Sequence, residues 1–137
     1  YDIVNKKSGF LGVSQKTSDA RELDELANNG DRQAKLVLKM LTFQMIKYIG
    51  AYTAEMNGVD AIFFTGGIGE NTCDLREDVC NHLTYLGVKI DSEKNLELRK
   101  GKEGELSTPD SKVRVFVLPT NEELLIARDT KAIVEKL

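Results

Sequence analysis

No apolar run in this chain exceeds four residues (61–64, 115–118 and 124–127), whereas a membrane-spanning helix needs about 20. No segment of this chain is therefore expected to span a membrane as a helix. Cationic excess is missing too: Lys and Arg number 19 against 22 Asp and Glu, a net charge of −3 with a pI near 5.3. That balance lacks the basic surface on which nucleic-acid binding rests. Cysteine is scarce. Cys73 and Cys80 fall on one expected helix, where a separation of seven residues puts their Cα atoms roughly 10 Å apart, beyond disulfide reach. Both are expected as free thiols, which suits a reducing cytoplasm. The single histidine, His82, sits mid-helix without a partner motif and reads as a surface residue.

What is present is the mix of a soluble globular protein, with 41% hydrophobic and 30% charged residues. The chain opens on Tyr1 without start-of-protein character, so a segment of a longer polypeptide is expected. The opening also lacks a signal-peptide pattern, and a cytoplasmic location is expected.

Residues 1–17 show two glycines and little periodicity and read as loop with short extended pieces. Ser18 is placed to cap a short helix over 19–28, which Asn28-Asn29-Gly30 stops. Asp31 opens the longest helix, to about Met56. Its apolar positions Ala34, Leu38, Leu41, Met45, Tyr48, Tyr52 and Met56 advance by three or four, and Val37, Ile46 and Ile49 widen the stripe. Such a helix is expected to be buried on more than one side, in its own core or against a partner. A buried strand (59–65), a glycine turn (66–69), a second helix (72–86), a short strand (88–90) and a polar helix (91–100) follow. A second buried strand (113–118) ends at Pro119, and Thr120-Asn121-Glu122-Glu123 has capping-box spacing for a last helix. Strands alternating with helices predict an α/β fold with a mostly parallel sheet. The few strands visible suggest that part of the sheet lies outside this chain.

The strongest local feature is Thr65-Gly66-Gly67-Ile68-Gly69-Glu70-Asn71, between a buried strand and a helix. Glycines let backbone approach a ligand, and a helix start offers free N–H groups to an anion. Two readings stand: a nucleotide-binding segment, or a turn that needs glycine for steric reasons. It is neither a Walker A motif nor a dinucleotide fingerprint. From Gly66 to Thr72 there is no cation, and Glu70 is negative. A terminal phosphate normally faces Lys, Arg or metal, so a nucleotide here would present its adenosine and inner phosphates. Arg76 is the nearest downstream cation, either a ligand-facing group or a solvated helix residue. Glu122 and Glu123 follow the second buried strand at a helix start. The capping box explains Glu123, which leaves Glu122 as the better candidate for holding magnesium, directly or through water.

Six ordered motifs resemble the acetate kinase family. They are Ser8-Gly9-Phe10-Leu11-Gly12-Val13-Ser14, Ser18-Asp19-Ala20-Arg21, Lys47-Tyr48-Ile49-Gly50-Ala51-Tyr52, Phe64-Thr65-Gly66-Gly67-Ile68-Gly69-Glu70-Asn71, Ser107-Thr108-Pro109-Asp110-Ser111 and Pro119-Thr120-Asn121-Glu122-Glu123-Leu124. The resemblance covers nearly the whole chain. It implies that residues 1–137 form the C-terminal part of the second, nucleotide-binding domain, in an actin-like (ribonuclease H-like) fold. The implied reaction is reversible phosphoryl transfer from ATP to acetate, giving ADP and acetyl phosphate, with Mg2+. Asp19, Ala20 and Arg21 match the adenosine-contacting triplet, and Gly67, Ile68, Gly69, Glu70 and Asn71 the second nucleotide segment. Leu75 falls where an apolar side chain would flank adenine, and Glu122 matches the magnesium-associated glutamate. Ala20 is smaller than the usual residue there, and Gln15 stands where many relatives have glycine. The arginines, histidine, aspartate and asparagine that complete the family's site belong upstream, so acetate is bound by a part not in this chain and the chain alone is expected to be inactive. A homodimer through the C-terminal domain is implied. The rival expectations are a propionate or butyrate kinase of the same family, a dimerisation module, and an actin-like regulatory ATPase.

Overall fold

Asp31 caps the longest element with its side chain, which accepts from the Ala34 amide at 2.8 Å, and helix α4 then runs over Arg32–Glu55. The structure is a computed structural model describing residues 1–136, with Glu122 described by its backbone alone. Three helices precede α4: α1 (Asp2–Lys6), α2 (Gly9–Ser14) and α3 (Ala20–Asn28). The first two replace the loop expected over 1–17. Each is about one turn, too short for a periodic signal. The cap of α3 is Asp19 rather than Ser18: its carboxylate accepts from the Arg21 amide at 2.8 Å. Leu23 and Ala27 of α3 interlock with Ala34 and Val37 of α4, and Phe10 and Val13 of α2 close the cluster.

Strand β1 (Ala61–Phe64) leads directly into helix α5 (Gly66–Asn71), so the expected glycine turn is itself a helical turn. Gly66 enters it at φ +70°, a left-handed value that favours glycine. Helix α6 (Cys73–Asn81) passes through a 3-10 turn at 84–86 to Gly87, which stops it at φ +85°. Helix α7 (Ser92–Glu97) is shorter than the polar stretch that announces it. A short strand β2 (Gly104–Glu105), unexpected from the sequence, precedes β3 (Arg114–Val117). Helix α8 (Glu122–Val134) closes the described chain.

The sheet order is β1-β3-β2. The β1–β3 pair is parallel, Ile62 opposite Val115 and Phe64 opposite Val117, while β2 lies antiparallel on β3. The fold is thus α/β with a small mixed sheet. The stretch over 88–90 contributes single bridges, Val88 to Val113 and Ile90 to Ser107, instead of a strand. Strand periodicity sends Ile62, Phe64, Val115 and Val117 to one face, where Leu75, Val79 and Cys80 of α6 and Leu83 just beyond it meet them. Burying each such side chain contributes about 1.5–3 kcal/mol. The other face carries Phe63 stacked on Phe116 at 5.2 Å, with the Arg114 guanidinium 4.7 Å over the Phe116 ring. Phe63 is 56% exposed, so none of the described helices covers it fully.

Helix α4 has its apolar stripe buried over part of its length only. Leu41, Met45, Ile46 and Ile49 pack against the main core, whereas Met40, Phe43, Tyr48, Tyr52 and Met56 are exposed. Every described side chain of α8 is exposed as well, including Leu124, Leu125, Ile126, Ile133 and Val134.

Candidate functional site

Local chemistry builds two rims of one cleft. On the first, the backbone bends at Ser18, extends at Asp19 and turns helical at Ala20, with the Asp19 cap fixing the turn. Arg21 folds back on its own cap, its Nε and Nη2 donating to the Asp19 carboxylate at 3.2 and 2.9 Å. Those bonds hold the Asp19 carboxyl at about 2, well below the usual range. On the second rim, α5 presents Gly67 and Ile68, and Asn71 and Thr72 end it. Asn71 steadies the segment: its Nδ2 donates to the Gly67 carbonyl at 2.9 Å, and its Oδ1 accepts from the Lys100 amide at 3.2 Å.

Between these rims lies a cleft of about 500 Å³, lined by Ser18, Asp19, Ala20, Arg21, Gly67, Ile68, Asn71 and Thr72. That size is within the range of small-molecule sites, about 300–1,000 Å³. Its apolar surface comes from Ala20 and Ile68, and its polar groups from the rims. Arg21 is the one cation among the lining residues, and it is paired with Asp19. A Cβ on Gly67 would meet no atom within 4 Å, so the position is open to whatever occupies the cleft.

Six of the expected nucleotide residues therefore converge: Asp19, Ala20, Arg21, Gly67, Ile68 and Asn71. Gly69, Glu70 and Leu75 do not line this cleft. Gly69 is buried against β1, where a Cβ would come 3.2 Å from the Phe64 carbonyl carbon. The Glu70 carboxylate turns away and accepts from the amide and hydroxyl of Thr120 at 3.0 and 3.1 Å. Leu75 is buried in the main core and lines a neighbouring groove of about 360 Å³ between α3, α4 and α6.

Arg76 is neither a ligand-facing group nor a solvated one. It is fully buried, and its guanidinium stitches three segments together. Nη1 donates to the Gly69 and Glu70 carbonyls, each at 2.8 Å. Nε donates to Asn95 Oδ1 at 2.8 Å, and Nη2 to the Asn95 and Leu98 carbonyls at 2.7 and 2.9 Å. Burial pushes the Arg76 pKa downward from its ordinary value. Asn95 completes the knot by donating to the Cys73 carbonyl at 3.0 Å. The floor beneath the glycine segment is thus held by carbonyl acceptors at the ends of short helices, which a guanidinium fork satisfies well. The signal was in the sequence: Arg76 shares the buried stripe of Val79, Cys80 and Leu83 at helical spacing.

At the start of α8, the cap is Asn121, whose Oδ1 accepts from the Leu124 amide at 3.0 Å. The expected Thr120 cap is not formed, because that hydroxyl accepts from the Gly66 amide at 2.9 Å instead. The side chain of Glu122 lies outside the described residues. Among the described residues, no group of three or more His, Cys, Asp and Glu comes together as a metal site.

The model of the Acetokinase family matches residues 1–128. This chain belongs to the acetokinase family. An acetate kinase of Thermotoga maritima is 60% identical across 100% of the chain, and one of Clostridium botulinum is 54% identical across 98%. In three dimensions the chain resembles the Porphyromonas gingivalis acetate kinase at a TM-score of 0.86 and 47% identity, over 97% of this chain and 33% of that one. A propionate kinase from Francisella tularensis follows at 0.80 and 37%, over 92% of this chain and 31% of that one. The chain spans about a third (34% and 33%) of the length of the acetate kinases it matches in sequence. For an acetokinase, the convergence of two segments some fifty residues apart on one cleft is the structural fact that matters.

Proposed function

We propose that the cleft grips the adenosine end of ATP or ADP, and that the polypeptide containing this chain reversibly transfers a phosphoryl group between ATP and acetate. One observation carries this reading: Asp19–Arg21 and the residues Gly67, Ile68 and Asn71, distant in sequence, border a single cleft. The charge pattern agrees. Phosphoryl transfer rests on positioning and on neutralising charge over the transferring group, and the cleft's lining supplies only a cation already paired. The reacting end of the nucleotide therefore projects to cationic groups outside this chain, which by itself is inactive. Acetate serves as its own nucleophile, so a cationic clamp is needed where a general base is not.

In this reading residues 1–137 are part of the second, nucleotide-binding domain of an actin-like enzyme, working in the cytoplasm. Magnesium bound with ATP would supply charge neutralisation for the phosphates. Glu122 is the residue of this chain assigned to it, with further ligands from the rest of the polypeptide. The described residues form no such centre on their own, so no step is assigned through the metal.

Titration calorimetry of ADP into the chain tests the cleft directly. The unmodified protein is expected to bind saturably, and Gly67→Ala to bind at least tenfold more weakly with an unchanged melting temperature, since its Cβ meets only empty space. Equal affinity in both would refute the assignment. An acetyl hydroxamate assay with ATP and acetate should show no turnover by the chain alone.

A second reading has an observation of its own. The exposed apolar residues Met40, Phe43, Tyr48 and Tyr52 of α4, with Met56 at its C-cap, fit a homodimer interface and a role in assembly. Sedimentation across concentrations separates the two: a tight dimer indifferent to nucleotide supports assembly, a monomer that binds ADP supports the cleft. Propionate remains the rival substrate, as the resemblance to the Francisella enzyme indicates, because the carboxylate pocket belongs to the remainder of the polypeptide.

A further inference from the structure

We propose that Thr120 and Glu70 are positioning residues that lock the glycine segment to the start of α8, so that the base-binding cleft and the Asn121–Glu122 turn move as one body. The inference rests on the nucleotide reading of the cleft. Its basis is a four-residue hydrogen-bond network bridging segments about fifty residues apart. The Thr120 hydroxyl accepts from the Gly66 amide at 2.9 Å and donates to Glu70 Oε1 at 3.1 Å. The Thr120 amide donates to the same Glu70 oxygen at 3.0 Å, and the Thr65 hydroxyl lies 3.1 Å from that of Thr120. Main chain and side chain of one residue are thus gripped together, which fixes its backbone as well as its rotamer.

The placement is specific. Gly66 is the left-handed residue that turns β1 into α5, and Gly67 and Ile68, next in the chain, line the cleft. Thr120 stands one residue before the α8 cap and two before Glu122. The strut therefore joins the wall that holds adenosine to the segment assigned to the metal-bearing end of the nucleotide. In-line phosphoryl transfer depends on that register, and small misplacements are costly to rate. Neither Thr120 nor Glu70 lines the cleft, so their effect is exerted through the backbone they fix. Glu70 needs only an acceptor oxygen here, and Thr120 only a hydroxyl.

The test uses the family-length polypeptide containing this chain, with Thr120→Val, Thr120→Ser, Glu70→Ala and Glu70→Gln. Thr120→Val and Glu70→Ala are expected to lower kcat about tenfold, with KM for ATP within twofold. Thr120→Ser and Glu70→Gln recover most of that loss. The double variant Thr120→Val/Glu70→Ala should be no worse than either single one, because both remove one network. Hydrogen exchange without ligand gives an independent reading: the Gly66 amide exchanges at least tenfold faster in Thr120→Val. Raised KM with unchanged kcat, additive losses, or unaltered Gly66 exchange would each overturn the strut. Failure of the unmodified polypeptide to bind ADP would instead overturn the nucleotide reading, and the Gly66 exchange rate then decides the strut alone.

Discussion

Replacing Arg76 by lysine keeps the positive charge but removes the fork. Five oxygen acceptors face the guanidinium: Asn95 Oδ1 and the carbonyls of Gly69, Glu70, Asn95 and Leu98. An ammonium has three donors, so at least two of these oxygens lose their partner at a position with no exposed surface. Each buried polar group left unsatisfied costs about 1–3 kcal/mol, which sets the penalty for Arg76→Lys at about 4 kcal/mol. For a chain of this size that lowers the melting temperature by roughly 10–20 °C. Arg76→Met strands all five oxygens. Its cost of about 5–15 kcal/mol matches the entire stability of an ordinary domain, and this variant is expected not to fold. The assay is urea unfolding followed by circular dichroism at 25 °C, where Arg76→Lys should shift the midpoint with the slope unchanged. Arg21→Lys, on an exposed side chain, is the control and should leave the midpoint in place. An Arg76→Lys midpoint indistinguishable from that of the control would refute the account of the buried fork.

Gly69→Ala forces a Cβ to 3.2 Å from the Phe64 backbone and should destabilise by about 1–3 kcal/mol through overpacking, measured as the same midpoint shift; the neighbouring Gly67→Ala should not. Burial pushes the Cys80 thiol up to about 12, so the native protein should resist a thiol reagent at pH 8 and react once urea unfolds it. The raised native value also makes stability depend on alkalinity. The contribution is complete below the unfolded thiol's value of about 8.5 and is lost as pH climbs towards 12, so unfolding midpoints between pH 9 and 11 should fall less steeply in Cys80→Ala. Asp19, held at about 2 by Arg21, has the opposite sign. Its contribution to the α3 cap is present above about pH 4 and vanishes as pH falls through 2. Carbon-13 titration of its carboxyl should show that midpoint, and Arg21→Ala should raise it.

Much of the fold was legible because its causes are local. The three-and-four spacing from Ala34 to Met56 and the Asp31 cap specify α4 whatever surrounds it, and the unbroken apolar quartet of β1 needs burial on its own account. Gly87 stops a helix because its φ of +85° disfavours other residues. The family resemblance groups Asp19–Arg21 with Gly67–Asn71, and of these Asp19, Ala20, Arg21, Gly67, Ile68 and Asn71 line one cleft. Short helices α1 and α2 escaped because one turn of helix has no periodicity to read. Strand β2 escaped because two residues acquire strand character only by pairing with Phe116 and Val117.

The amino-acid order by itself determined the long helix α4, the two buried strands β1 and β3, and that a cation-free glycine segment follows a buried strand. Those are consequences of backbone sterics and side-chain pattern within a dozen residues. Only the tertiary structure decided what Arg76, Glu70 and Thr120 do. Arg76 finds its acceptors up to 22 residues away, and Thr120 meets Gly66 across 54. A hydrogen bond depends on distance and angle in space, and chain position fixes neither until the sheet has brought β1 beside β3.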